Sequence, residues 1–263
     1  MKLSKFATVL AAGVLTAGIG AAQAQDDPVL RIAVEGEYPP FSEVDPNGNL
    51  IGFDVEIANA LCEKMNRKCE MLQNGWDTII PALLENKYDA IVASMSITEE
   101  RKKRVDFTQK YYSTPARFVA KDGADFEPTT DGLEGKVVGL QKGTTHQCYM
   151  EKHFPDVELR LYDDQTDVFR DLANGRLDGQ LSDSILALEG FLNTDDGEGY
   201  AFLGGDQYDK ECYGEGEGIA VRKEDDDLKG AFNAAIKAIR ADGTYDAINA
   251  KYFEFDIYGA PTN

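Results

Sequence analysis

Apolar and polar positions along this chain fall into short blocks whose period switches back and forth. The runs Val29–Glu35, Lys68–Leu72, Ala90–Ala93, Lys136–Leu140, Glu158–Tyr162 and Gly179–Leu181 are brief, apolar and bounded by turn residues, so they read as strands. The stretches between them carry apolar residues at helical spacing: Phe53, Ile57, Ala60, Leu61 and Met65 within Phe53–Met65, then Trp76, Ile79, Ile80 and Leu83 within Trp76–Glu85. Asn74 is the expected N-cap of the second helix. Further helices are predicted over Thr145–His153, Gln165–Asn174 and Ser184–Leu192. After a strand at Ile219–Arg222, two closing helices, Leu228–Ala241 and Tyr245–Tyr252, are expected to pack back on the first half. Strand–helix alternation of this kind predicts an α/β fold with mixed sheets flanked by helices.

The pattern also repeats once at larger scale. NKYDAIVASMS and NGRLDGQLSDS share a helix end, a basic residue, an Asp and an apolar run. Superposing Asp89 on Asp178 brings Leu83 onto Leu172 and Ser94 onto Asp183. Two sheets are therefore expected, each ending a strand in a polar group. Tyr111–Ala120 reads as the way out of the first lobe, and a fresh alternation starts near Thr129. The division expected is residues 25–114 with 216–263 as lobe 1 and 115–215 as lobe 2, joined by two crossings that act as a hinge, with the cleft between the strand ends.

The first residues change the picture by leaving it. Lys2 and Lys5 precede an apolar run from Phe6 to Gly20, and Ala22-Gln23-Ala24 is an A-x-A cleavage site. Residues 1–24 are thus expected to be a cleaved export signal, and the absence of a Cys just after it argues against lipid attachment. A soluble exported protein of this kind belongs in the periplasm. Lys and Arg total 27 against 47 Asp and Glu, a net charge of −20 that deepens to −22 when Lys2 and Lys5 are lost. Such a surface repels nucleic acid. The four cysteines, Cys62, Cys69, Cys148 and Cys212, are an even set in an exported chain and suggest disulfides. Cys62 and Cys69 suit a local staple, and Cys148 with Cys212 follows only by elimination. With His146 and His153 the only histidines, and no CxxC or HxxxH, no metal site is expected.

The candidate chemistry lies at the strand ends. EGEYPPF leaves Glu35 and Tyr38 at one, because Pro39-Pro40 forces an extended turn. YDAIVASMSITEERKKR ends its strand in Ser94, Ser96 and Thr98 and runs into Arg101. Trp76 opens a helix on the same edge. QKGTTHQ, from Gln141 to Gln147, offers Gly143, Thr144 and Thr145 as a backbone nest at a helix N-terminus, although such a segment is also an ordinary cap. Arg101 with hydroxyls suits a carboxylate and Asp183 suits an ammonium, the two ends of an α-amino acid. Glu35 remains for a cationic side chain, with Tyr38 and Trp76 as aromatic walls.

At these residues the chain resembles the periplasmic polar and basic amino-acid-binding proteins of ABC transporters, the lysine–arginine–ornithine and histidine binders. The likeness runs through EGEYPPF, GFDVEIANALCEKM, WDTIIPALL, YDAIVASMSITEER, VDFTQKYY, GRLDGQLSD and DGTYDAINAKYF, and SxSITxxR is its most specific part. The resemblance implies a two-lobed periplasmic binding protein fold of type II, a monomer that closes on one amino acid and docks on an inner-membrane permease, with no cofactor and no catalysis. It implies that Arg101 clamps the α-carboxylate with Ser96 and Thr145, that Asp183 and the Ser94 carbonyl take the α-ammonium, and that Tyr38 and Trp76 sandwich the side chain. Glu35 would meet the far end of that side chain. Gln141 belongs to the same ligand set, and Cys62–Cys69 matches the disulfide of the basic amino-acid binders. The departures are Glu35 for Asp, Trp76 for Phe, Ala93 for Ser and His146 for Gln. Arginine, lysine and ornithine are the first ligands to consider, then histidine. Glutamine, an opine, or a dehydratase on the same fold are the alternatives.

Overall fold

The computed structural model describes residues 28–259, so the segment 1–24 expected to be an export signal lies outside the described residues. In chain order the elements are β1 (Leu30–Val34), the short strands β2 (Glu37–Tyr38), β3 (Ser42–Val44) and β4 (Leu50–Ile51), α1 (Phe53–Lys64), β5 (Cys69–Gln73), α2 (Trp76–Leu84), β6 (Ala90–Ile91), α3 (Glu99–Lys102) and β7 (Asp106–Tyr112). Then come β8 (Ala116–Lys121), β9 (Val137–Gln141), α4 (Thr145–His153), β10 (Glu158–Tyr162), α5 (Gln165–Ala173), β11 (Gly179–Asp183), α6 (Ser184–Ala187) and β12 (Tyr200–Gln207). The chain closes with α7 (Lys210–Tyr213), β13 (Glu217–Val221), α8 (Asp226–Ala241) and α9 (Thr244–Tyr252).

Two five-stranded sheets result, in the orders β5-β1-β6-β13-β7 and β10-β9-β11-β8-β12. In each, three parallel strands are followed by one that runs against them, β13 or β8, and by an edge strand, β7 or β12, paired antiparallel to it. The sequence repeat has a physical cause that the sheets make visible. Asp89 accepts the Arg31 N–H at 3.0 Å and returns its own N–H to the Arg31 carbonyl. Asp178 does the same with Val137, at 2.8 and 2.9 Å. Asp89 therefore locks the entry of β6 against β1, and Asp178 that of β11 against β9.

The core follows from the apolar stripes. β1 and β13 are buried on both faces, as near-continuous apolar strands inside a sheet must be. Phe41, Phe53, Tyr111, Tyr112 and Tyr245 are among the largest buried side chains and join α1, β7 and α9. α1 can enter this cluster because its N-cap is Gly52 at φ 120°, where a Cβ would sit 2.4 Å from the Phe41 carbonyl oxygen. α8 and α9 pack on α1, so the closing helices do return to the first sheet.

Several expectations need correction. The way out of the first lobe is shorter than Tyr111–Ala120: β7 and β8 are strands of different sheets, and only Ser113–Pro115 separates them. β8 is followed by β9 with no helix between them, so the strand–helix alternation of the second half starts with β9 and α4, after Thr129 as expected, and β8 is an additional strand ahead of it. Asn74 does not cap α2, whose N-cap is Gly75; the Asn74 amide donates instead to the Gly75 carbonyl and to Thr78. The predicted helix Ser184–Leu192 is four α-helical residues followed by a π-helical turn, Leu188–Leu192. Both disulfides are present: Cys62–Cys69 ties the end of α1 to β5, and Cys148–Cys212 ties α4 to α7.

Candidate ligand-binding site

Between the two sheets lies a cavity of about 230 Å³, and all nine residues singled out as ligand contacts line it: Glu35, Tyr38, Trp76, Ser94, Ser96, Arg101, Gln141, Thr145 and Asp183. Glu35 follows β1, Ser94 follows β6, and Gln141 and Asp183 end β9 and β11. The cavity therefore sits at the carboxyl ends of the parallel strands of both sheets, where an open α/β sheet leaves its crevice.

Ser94 is held in the left-handed region, at φ 49°, which cuts β6 short at Ile91 and turns the chain toward the cavity. Asp54 fixes that turn from behind. Its two oxygens accept from the Ser94 hydroxyl at 2.9 Å and the Tyr111 hydroxyl at 2.8 Å, while the Ser94 N–H donates to Tyr111. The Ser94 hydroxyl is thus engaged inward, which leaves its carbonyl for the cavity. Burial pushes Asp54 up to about 7, against the pull of those two hydroxyls. Sequence reading passed over Asp54, because an acid in the first turn of a helix is ordinary dipole chemistry.

Arg101 reaches the cavity from α3, whose N-cap is Thr98. Its guanidinium donates to the Ser96 carbonyl at 3.0 Å and, across the cleft, to the Gly143 carbonyl at 3.5 Å. It lies 5.0 Å from the Trp76 ring centre, so Trp76 is both a cavity wall and a stacking surface for Arg101. Burial draws Arg101 down to about 10, with Glu217 acting in the opposite sense, and it stays charged at neutral pH. The expected nest is partly taken, since the Gly143 N–H donates to Gln147 and Thr144 caps α4. Thr145 and His146 remain on the cavity side. Burial, reinforced by Arg101, drives His146 down to about 3 and keeps it neutral.

Opposite stand the acids. Asp183 N-caps α6, accepting the N–H groups of Ile185 and Leu186, and also accepts the Thr114 hydroxyl. Burial raises it to about 6, against those hydrogen bonds. Glu35 accepts from the Gln141 side chain across the cleft and is raised by burial to about 8, with nearby acids adding to the shift. Glu217, which sequence reading missed because it lies in the run GEGEG that resembles solvated loop, completes the set. The lining thus holds three carboxyls, Glu35, Asp183 and Glu217, against one guanidinium. Among the described residues no cluster of His, Cys, Asp or Glu is arranged to hold a metal, and no helix is long and apolar enough to cross a membrane.

Two sheets with facing strand ends around an acidic, single-Arg cavity define a two-lobed binding protein for a small charged solute. The chain belongs to the bacterial extracellular solute-binding proteins, family 3, which it matches over residues 30–255. It is 50% identical over 239 residues to the L-arginine-binding protein of Pseudomonas aeruginosa, covering 90% of this chain and 92% of that one. It is 39% identical over 261 residues to the lysine/arginine/ornithine-binding periplasmic protein of Escherichia coli, covering 98% and 100%. Among solved structures, a Salmonella typhimurium periplasmic binding protein described for high arginine specificity superposes with a TM-score of 0.79 at 35% identity, over 86% of this chain and 99% of that one.

Proposed function

We propose that this protein carries one cationic L-amino acid, arginine first and then lysine or ornithine, to an inner-membrane importer, and that it does so as a periplasmic monomer without catalysis. It is exported by a leader cleaved after Ala24. Residues 25–114 with 216–263 and residues 115–215 act as the two bodies that close on the ligand. Arg101 takes the α-carboxylate, Asp183 and the Ser94 carbonyl take the α-ammonium, and Glu35 takes the far cation between Tyr38 and Trp76. Arginine pairs a carboxylate with Arg101 and two cations with two of the three acids, so its own net positive charge offsets the excess of the cavity. The observation that carries this reading is the meeting of Arg101, Asp183 and Glu35 in one cavity. The names of the relatives point the same way.

Glutamine is the second reading, favoured by Glu35 itself: at about 8 it is neutral near pH 7 and bound to an amide, Gln141. A thermal-shift panel of the twenty amino acids separates the two. At about 1,000 times its dissociation constant a ligand adds about 4 kcal/mol. Arginine or lysine should raise the melting temperature, glutamine less and glutamate not at all, and Arg101→Ala should remove every shift. A wild-type protein that responds to no amino acid rules the carrier reading out.

A further inference from the structure

Glu217 is the acid that a basic amino acid leaves without a partner. It is only 8% exposed, it lines the cavity, and its Oε2 is buried with no hydrogen-bond partner among the described residues. A buried carboxyl oxygen without a partner is costly, so its retention beside a cavity points to a partner that comes and goes. Its place in the fold says which end of the ligand is near. On one side Glu217 bridges to Ser96, with Gly218 N–H donating to the Met95 carbonyl, so it borders the Ser94–Ser96 shelf. On the other it pairs with Tyr112, two residues before Thr114, whose hydroxyl donates to Asp183. Glu217 thus stands between the Ser94 shelf and the Asp183 carboxyl. Burial acts on it first, then the charge of Asp183, opposed by a hydrogen bond from its own backbone N–H, with Asp54 and Lys110 contributing less and in opposite senses. Burial alone already holds Glu217 well above the usual carboxylate range, so a cation arriving there has the most to relieve. Gly214 and Gly216, both at positive φ, carry the chain tightly into this strand; a Cβ at Gly214 would lie 2.0 Å from the Ile97 carbonyl oxygen, which pins Glu217 against the shelf.

We propose that Glu217 is a specificity-determining residue of this cavity: with Asp183 and the Ser94 carbonyl it forms a three-acceptor seat for the α-ammonium, one acceptor for each of its three N–H donors. The site then selects a primary α-amino group and disfavours N-alkylated amino acids, opines among them, which have only two N–H donors and add bulk. This assignment rests on the amino-acid-carrier reading above and adds to it the end of the ligand that the cavity inspects most closely.

Calorimetric titration of the full chain with L-arginine and with Nα-methyl-L-arginine tests it, on wild type, Glu217→Gln and Glu217→Ala. Wild type should prefer L-arginine by about tenfold or more, and both variants should bind L-arginine about tenfold more weakly, the scale of one charge-assisted hydrogen bond. The preference between the two ligands should shrink in both, most in Glu217→Ala, where the methyl group gains room. Glu217→Gln keeps the side-chain shape and decides the matter by itself if Glu217→Ala does not fold. An unchanged ligand ratio with unchanged arginine affinity overturns the role of Glu217 while leaving the carrier reading intact. A wild type that binds neither ligand overturns both.

Discussion

Glu35 is where ligand class and proton chemistry meet. Burial holds it at about 8, so it enters the ligand-free cavity largely protonated, and a guanidinium or ammonium beside it favours the ionised form. Glu35→Gln should therefore weaken arginine by about 10- to 100-fold, the worth of a hydrogen bond to a charged group, while leaving glutamine within about threefold. Competition titration reads that ratio, and an unchanged rank order removes Glu35 from side-chain recognition. The sign of the pH effect follows from the same shift. Glu35 at about 8, Asp54 at about 7 and Asp183 at about 6 all lie above their unfolded values. A raised acid stabilises the fold fully below its unfolded pKa, and that contribution is lost as pH climbs through the folded one. The ligand-free protein should melt at falling temperatures from about pH 5 to about pH 8. Arginine affinity should rise over the upper part of that window, by up to about tenfold per pH unit below 8, then level off. Calorimetry at pH 7 in two buffers of different ionisation heat should report proton release, and equal heats would argue against a protonated Glu35.

At the scale of elements, α4 depends on a covalent partner. Cys148 in α4 and Cys212 in α7 are 64 residues apart in sequence, whereas Cys62 and Cys69 are separated by 7. Loop-closure entropy makes the long bridge worth about 4 kcal/mol and the short one about 2 kcal/mol. A Cys148→Ser, Cys212→Ser variant should therefore lose more stability in urea than Cys62→Ser, Cys69→Ser. It should also bind arginine more weakly, because α4 carries Thr145 and His146 to the cavity. Equal losses in the two variants would separate α7 from any support of the site. Elements with one strong period were legible in the sequence: α4 and β10 have the bounds predicted, α1 and α5 differ only at an end, and β5 is displaced by one residue at both ends. What escaped was context. β7 reads DFTQKYY and β8 reads ARFVAK, with no clean alternation, because consecutive residues are buried in each: Tyr111 beside Tyr112 in β7, and Phe118, Val119 and Ala120 in β8. β12 contains Gly204 and Gly205 and has a register break between Leu203 and Gln207, so its polar, irregular run hides an edge strand. In the cavity, Glu35, Ser94, Ser96 and Asp183 were legible because strand-end polar groups stand out against apolar runs, whereas Gln141 came only with the family resemblance. Asp54 and Glu217 were not, since an acid in a first helical turn or in a glycine-rich run has a commoner explanation at the surface.

The whole molecule brings its two sheets into contact through few polar links. Gln141 reaches Glu35, Arg101 reaches Gly143, and the Thr166 hydroxyl donates to Glu37 at 3.1 Å. The first two involve the cavity-lining residues Glu35, Gln141 and Arg101. The third is a latch on the rim, since Thr166 is in α5 and Glu37 in β2. Glu37→Ala should lower the affinity for all accepted ligands alike, by about threefold, because it shifts the balance of closed and open forms without touching a ligand contact. Titration of arginine, lysine and ornithine checks this, and a change in their order would place Glu37 in recognition instead.

The strand order carries a consequence for how the chain is made. β8 to β12 form their sheet from one continuous stretch, but the sheet begun by β1 cannot insert its fourth strand, β13, until residue 221 has been supplied. The half synthesised first is thus completed last, across a sequence span that makes its closure slow. A chain threaded outward from its N-terminus stays unfinished at its leading end, and so remains pliable for passage, until nearly all of it has emerged.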